Sequence, residues 1–318
     1  MNPHVQATLD RFKHRVIFFG SYKRAFSQIE NAIENTRALG EPTCAILCGP
    51  SGAGKSTLCR YFEKFHSSDP VIRREDGVYI QLPVFYCEVP SPTTVRGLTS
   101  RMLSLLIDEI PNGTVERLTH RLITCLKTAG VKVIFLDEIQ LLCVHTVSEK
   151  IRLDSLQWIV SMLNTSGIPI ILSGTELCRD IRKNHEPFAV RYPYFAELSD
   201  FEYGCVNNAD YMVILKKLDL AMYEIAELGG GLHLNDPAIA AALYVGTCGN
   251  LKRMRLIISD ALKYCLQRGD PRELKTEDFC RACEVIDLPK CLASTNPFEL
   301  NYIDAMELIS IFQATSHE

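Results

Sequence analysis

Five short apolar runs, CAILCG (44–49), PVFYCEV (83–89), VKVIFLD (131–137), IPIILSG (168–174) and YFAEL (194–198), alternate with longer stretches of helical periodicity. Such runs read as buried strands, and the helical stretches between them predict a parallel sheet with helices on both faces. Ahead of them, Phe26, Ile29 and Ile33 on FSQIENAIENTRAL mark one face of a helix that Gly40 closes. From about residue 201 the strand pattern stops, and DPAIAAALYVGTCG and NLKRMRLIISDALKYCLQRG are helical, broken by the GGG at 229–231. The last residues mix a turn-rich linker with one short helix pattern on Ile303, Met306, Leu308 and Ile311. The pattern therefore predicts an N-terminal extension with a lead-in helix (1–40) and an α/β domain with a parallel five-stranded sheet between helices (41–200). A small all-helical domain (201–288) and a tail (289–318) follow. The tail is too short to bury its apolar residues alone, so it either docks on a partner or neighbouring subunit or folds back on the helical domain.

Composition narrows the class. With 318 residues, 47% hydrophobic and 23% charged, the chain can bury a large core. The N-terminus has no secretory apolar region and no stretch is long enough to span a bilayer, so a cytoplasmic protein with no membrane partner is expected. Thirteen cysteines spread through the predicted core segments fit reduced, packed thiols better than a disulfide framework. Cys280 and Cys283 in FCRAC have metal-like spacing, but only a lone Cys291 follows, so zinc is not the expectation. The formal net charge of −4 argues against nucleic-acid binding over the whole surface and leaves only a locally basic face.

The stretch GPSGAGKST carries the first chemistry. Gly49, Gly54, Lys55 and Ser56 satisfy G-x-x-x-x-G-K-[ST], after an apolar strand and before a helix. At typical residue frequencies the four positions arise by chance about once in a hundred chains of this length. Glycines let the backbone N–H groups of Gly49, Ser51, Gly52, Ala53, Gly54 and the residues to Thr57 converge on phosphate oxygens, with Pro50 inside the same loop but offering no N–H. Lys55 neutralises β- and γ-phosphate charge, and the Ser56 hydroxyl ligates Mg²⁺. ATP and magnesium are the expected cofactors. VKVIFLDEIQ then places an acidic pair at the end of a buried strand, where Asp137 would hold magnesium and Glu138 would act on the attacking water. The next strand ends in Ser173 and Thr175, either of which could sense the γ-phosphate.

Arginines follow the fourth and fifth strands: Arg191 precedes YFAEL, and GNLKRMRLI carries Lys252, Arg253 and Arg255. With GPSGAGKST, FLDEIQLL, IPIILSGTEL and RYPYFAEL, these residues make the chain resemble the AAA+ ATPases over residues 15–285. Within them it resembles the initiator-like branch that holds the transposition regulators TniB and TnsC. The resemblance implies a P-loop AAA+ domain followed by a helical lid. It implies that Arg191, or alternatively Arg182, reaches the γ-phosphate of a neighbouring subunit in a homo-oligomer, and that Arg253, with Lys252 as competitor, is the lid's sensor. It further implies an ATP-dependent ring or filament on duplex DNA, touching phosphates from Arg96 and Thr114, with Arg101, Arg117 and Arg121 as further candidates. A cap at Thr93 or Thr94 would open the helix that carries Arg96. Its partners would be a DDE transposase and a target-selection protein of the TniQ type. A replication initiator or clamp-loader-like ATPase, or an ATPase of defence systems, is the alternative, although no winged-helix pattern is legible after residue 288. A P-loop kinase is the other alternative, and the Asp137-Glu138 pair speaks against it.

Overall fold

The computed structural model describes all residues except 1, 67–70, 75–76, 108–110, 143–146, 184–185, 205–208, 270–271 and 317–318. Its elements in chain order are α1 (Pro3–Lys13), α2 (Gly20–Leu39), β1 (Ala45–Cys48), α3 (Lys55–His66), β2 (Val71–Arg74), β3 (Gly77–Ile80), β4 (Val84–Glu88) and α4 (Val95–Ser104). There follow α5 (Val115–Thr128), β5 (Val133–Asp137), α6 (Glu149–Ser166), β6 (Ile170–Gly174), α7 (Cys178–Lys183), α8 (Glu186–Arg191), β7 (Tyr194–Glu197) and α9 (Asp210–Ala226). The last are β8 (Gly230–Gly231), α10 (Pro237–Thr247), α11 (Leu251–Arg268), β9 (Glu273–Leu274), α12 (Thr276–Val285) and α13 (Tyr302–Ser316). They form two compact units, one of residues 21–198 and one of residues 1–20 together with 199–318.

In the first unit β4, β5, β6, β1 and β7 make one parallel sheet in that order. Each of the five apolar runs contributes one strand. Every residue of β1, β5 and β6 is buried, which is why these runs show no polar alternation. From β1 the chain crosses to the far edge at β4 and returns through β5 and β6. It then passes over β1 to β7. The carboxyl end of β1 is therefore where the winding changes direction, the place where open α/β sheets bind ligands.

The hairpin of β2 and β3, antiparallel between Val71 and Ile80, adds to the expected strands. Its signal was legible as two β-branched runs, VIRR and GVYI, separated by two polar residues.

The second unit is helical with one addition: β8 and β9 pair in parallel over two residues. Glycine makes this possible, because Gly231 has φ +104° and a Cβ there would lie 2.3 Å from the Leu274 carbonyl oxygen. Helix α1 belongs here, opened by Asn2, whose side chain accepts from the His4 amide, and by Pro3. Arg255 of α11 donates to the Phe12 and Arg15 carbonyls at 2.9 Å each, closing the carboxyl end of α1 and supplying cationic charge where the helix dipole favours it. A residue noted in the sequence for its place in GNLKRMRLI thus has a definite fold-building contact.

Helix α10 is buried on all sides from Ile239 to Thr247. Helix α13 packs against it with Ala305 and Ile309 buried, Phe312 meets Tyr244 edge-on, and Leu292 N–H donates to the Val245 carbonyl at 2.9 Å. Phe298 is buried as well, stacked on Phe279. Burying side chains of this size contributes about 1.5–3 kcal/mol each. Ending the chain after Leu288 removes the buried Phe298 and Ile309 and, at about 2–4 °C per kcal/mol, is therefore expected to lower the thermal midpoint by roughly 10 °C, or to yield insoluble protein. Calorimetry of the shortened chain checks this, and an unchanged midpoint would show that α10 does not depend on its cover.

The described cysteines are free thiols. Among the described residues no group of three or more His, Cys, Asp or Glu side chains is placed to hold a metal ion. No described helix is long and apolar enough to cross a membrane.

Candidate nucleotide-binding site

The loop between β1 and α3 is shaped by backbone requirements. A Cβ on Gly49 would lie 2.0 Å from the Leu198 carbonyl oxygen, because Leu198 N–H donates to Cys48 C=O at 2.8 Å and brings the two segments together. Gly52 and Gly54 have φ of +87° and +96°, in the region that favours glycine. Lys55, in the first turn of α3, is buried, and its Nζ donates to the Gly49 and Pro50 carbonyls at 2.8 and 2.9 Å. These two bonds occupy two of the three ammonium donors and close the loop on itself. Tyr22 of α2 donates from its hydroxyl to the Gly54 carbonyl at 2.5 Å. Ala53 is buried, whereas Ser56 and Thr57 are exposed at the start of α3.

Asp137 ends β5 and is buried. Its Oδ2 accepts from the Tyr86 hydroxyl at 2.7 Å and its Oδ1 from the Glu138 amide at 3.0 Å. A carboxylate offers about four lone-pair sites, so acceptor capacity remains. Tyr86 of β4 stands opposite Phe135 of β5, and the Arg60 guanidinium lies 3.5 Å from the Tyr86 ring centroid. Burial and then the hydrogen bond to Asp137 hold the Tyr86 phenol well above its ordinary pKa. The Cys59 thiol of α3 is raised by burial and by the Asp137 carboxylate, with Ser173 and Lys55 acting in the opposite sense. Lys55, Asp137 and Ser173 therefore all act on one thiol. The Ser173 hydroxyl is buried and, among the described residues, has no regular hydrogen-bond partner, since a neighbouring thiol is a weak one. An orphaned hydroxyl beside a glycine cradle and a lysine fits an oxygen-rich ligand such as a triphosphate.

Glu138 has φ +60°. Its Oε2 accepts from Gln140 Nε2 at 2.5 Å, and Gln140 Oε1 accepts from the Thr175 amide at 3.1 Å. Tyr22, Tyr86 and Gln140 were not anticipated as site residues. Only Gln140 had a local signal, its place in DEIQ beside the acidic pair.

Arg191 lies at the other edge of the sheet. Its carbonyl accepts from Cys44 N–H at 2.8 Å, just before β1, and its Nε donates to Asn164 Oδ1 at 3.1 Å. The strand between Cys44 and Gly49 spans about 16 Å at about 3.3 Å per residue, so Arg191 and the phosphate loop of the same unit occupy opposite ends of β1. Arg182 falls in α7, and its side chain lies outside the described residues. Lys252 and Arg253 are in the first turn of α11 in the second unit, where the Asn250 side chain caps Arg253 N–H at 3.2 Å and Arg253 Nη1 donates to Thr247 C=O at 3.4 Å.

The candidate DNA residues divide. Thr94 caps α4 by accepting from Gly97 N–H, while the Thr93 hydroxyl turns to the Pro90 carbonyl. Thr114 caps α5, accepting from Arg117 N–H at 3.4 Å, and Arg96 Nη1 donates to Gly113 C=O at 2.6 Å. Arg96 and Thr114 thus meet at one end of the α4–α5 pair. An open depression of about 450 Å³ lies beside them, lined by Asn112, Gly113, Arg117, Leu118 and Arg121. Arg101, five residues on from Arg96, lies about 140° around the helix, near Cys87 of β4, whose thiol burial pushes up to about 12 and Arg101 moderates.

This is the P-loop AAA+ fold, a nucleotide-binding architecture. Residues 37–181 match the AAA domain. Among curated proteins no sequence match was found. Three solved structures share the fold at low identity. The ORC1 protein of Aeropyrum pernix, in complex with DNA, is 18% identical with a TM-score of 0.57 over 85% of this chain and 66% of that one. The ORC2 protein of the same organism, in ADPNP and ADP complexes, is 11% identical with a TM-score of 0.56 over 86% and 70%. Cdc6p from Pyrobaculum aerophilum is 13% identical with a TM-score of 0.53 over 82% and 66%. The chain therefore spans about two thirds of the length of the structures it resembles.

Proposed function

We propose that this chain is an ATP-hydrolysing AAA+ regulator of DNA transposition. It assembles as a ring or filament on target duplex DNA, and links a target-selection protein of the TniQ type to a DDE transposase. ATP hydrolysis controls disassembly. The observation that carries the ATPase reading is the acidic pair Asp137 and Glu138 at the carboxyl end of β5, at the same end of the sheet as the glycine loop that Lys55 closes. The loop and Lys55 hold the phosphates, Glu138 takes the proton of the attacking water, and Ser173 or Thr175 contacts the γ-phosphate side. Ser56 and Asp137 would hold magnesium, which when bound would supply charge neutralisation on the phosphate oxygens. Arg191, remote from its own loop, serves a neighbouring copy, and Arg253 is the lid's sensor. The transposition reading rests on the resemblance of GPSGAGKST, FLDEIQLL, IPIILSGTEL, RYPYFAEL and GNLKRMRLI to TniB and TnsC.

Negative-stain imaging with duplex DNA and a slowly hydrolysed ATP analogue tests the reading. Rings or filaments support it, and a steady monomer with phosphotransfer to a small acceptor supports a kinase. Likeness to the ORC1 protein bound to DNA favours replication initiation as a second reading. Stimulation of a transposase on target DNA separates the two.

Arg96→Ala is expected to weaken duplex binding equally across sequences, and to flatten the salt dependence by roughly one counterion per subunit. ATP turnover without DNA should stay unchanged. Titrations at several salt concentrations check this, and an unaltered slope removes Arg96 from the DNA surface. Thr114→Ala is a poorer probe than its exposure suggests: losing the cap of α5 costs about 1 kcal/mol of stability by itself. Thr114→Ser keeps the cap.

A further inference from the structure

Glu138 adopts a left-handed backbone conformation, uncommon for its residue type and persistent only where the surroundings over-determine it. Here its amide donates to Asp137 Oδ1, and its carbonyl accepts from Leu141 N–H at 3.0 Å, starting a short 3₁₀ turn over Ile139–Leu142. The turn doubles back and delivers the Gln140 side chain to the Glu138 carboxylate. The orientation of that amide has one solution. Thr175 N–H can only donate, so it takes the amide oxygen, and the NH₂ group is left facing Glu138 Oε2. Gly174 makes the arrangement possible, because a Cβ there would lie 2.5 Å from Gln140 Oε1 and 2.5 Å from Cys178 Sγ.

We propose that Gln140 is a positioning residue for ATP hydrolysis: it holds the general base by one carboxylate oxygen, leaves the other to receive the proton, and anchors both to the end of β6. This rests on the reading of Glu138 as the base. In the step served, the water oxygen bonds to the γ-phosphorus as the bond from that phosphorus to the bridging oxygen breaks. The electron pair leaves with ADP, and the water proton passes to Glu138. A glutamate side chain has three rotatable bonds, and a base must stand within hydrogen-bond reach of its proton. An amide fixes it without cancelling its charge, as a lysine or arginine in the same place would. Because the same amide binds Thr175 N–H, any movement at the end of β6 is transmitted to the base. Thr175 thereby gains a role through its backbone rather than its hydroxyl.

The test uses the full chain with Gln140→Ala and Gln140→Glu, each alone and with Glu138→Gln. Steady-state and single-turnover hydrolysis, affinity for a fluorescent ATP analogue and thermal unfolding are all measured. Gln140→Ala should lower kcat by roughly 10- to 100-fold, the scale of a misplacement of about 1 Å, with KM and nucleotide affinity within about twofold. Gln140→Glu, nearly isosteric, still accepts from Thr175 N–H but opposes the carboxylate with a like charge, and should lose at least as much. In the Glu138→Gln background, Gln140→Ala should add nothing to the residual rate, because it acts through the missing base. Normal kcat in both Gln140 variants, a parallel loss of nucleotide affinity, or an additive loss in the double variant would overturn the proposal. So would failure of both variants to fold, which would make the contact structural. If Glu138→Gln itself turns over normally, the base assignment is wrong and the positioning role falls with it. If Glu138→Gln is inactive while the Gln140 variants are normal, only the positioning role falls.

Discussion

Glu138→Gln is expected to lower ATP turnover by roughly 10²- to 10⁴-fold, the usual contribution of a positioned base, while nucleotide binding persists. The substituted amide is nearly isosteric and can still present an oxygen to Gln140 Nε2, which now stands 2.5 Å from the carboxylate. What it cannot do is accept a proton from water. On the proposed function, assemblies on DNA should become long-lived, because the nucleotide proposed to hold them is not consumed. The measurement pairs kcat at saturating ATP with a nucleotide titration. Turnover at the original rate would remove Glu138 from the chemistry. Lys55→Ala should behave differently. It removes the ammonium proposed to meet the phosphates and also its bonds to the Gly49 and Pro50 carbonyls, so affinity itself should fall.

Arg191→Ala is expected to suppress turnover by roughly 10³-fold or more, the scale set by arginines that reach a transferring phosphoryl group from outside. Each subunit should still bind nucleotide, since the residue lies at the amino edge of the sheet beside Cys44 and Asn164. Mixing tests the sharing directly. Arg191→Ala subunits combined with Lys55→Ala subunits form some interfaces with an intact loop on one side and an intact arginine on the other. Those interfaces should recover part of the activity. No recovery at any mixing ratio would leave Arg191 as a surface residue, and Arg182, on α7, would be the next candidate.

The three central strands, β1, β5 and β6, were legible because burial on both faces forces a continuous apolar run, a property each segment carries without its neighbours. The phosphate loop was legible for a similar reason. Gly52 and Gly54 take φ values that other residues resist, so the backbone demand is written as residue type. Caps behaved likewise, although a choice between Thr93 and Thr94 needed the fold: one hydroxyl meets Gly97 N–H and the other meets a preceding carbonyl. The hairpin at 71–80 and the helix at 3–13 had local signals too, in their β-branched runs and in Asn2-Pro3.

Only the tertiary structure decided which distant segments meet. The sheet order places β1 between β6 and β7, and no local period encodes that choice. Tyr86 reaches Asp137 across 51 residues, Thr175 reaches Gln140 across 35, and Arg255 closes α1 from 240 residues away. The two ends of β1 likewise separate Arg191 from the phosphate loop of its own unit. Local sequence sets φ preferences and which face is apolar, because those depend on the residue and its near neighbours. Contacts between segments depend on strand register and chain closure over long loops, and these are satisfied only when the whole core packs at once.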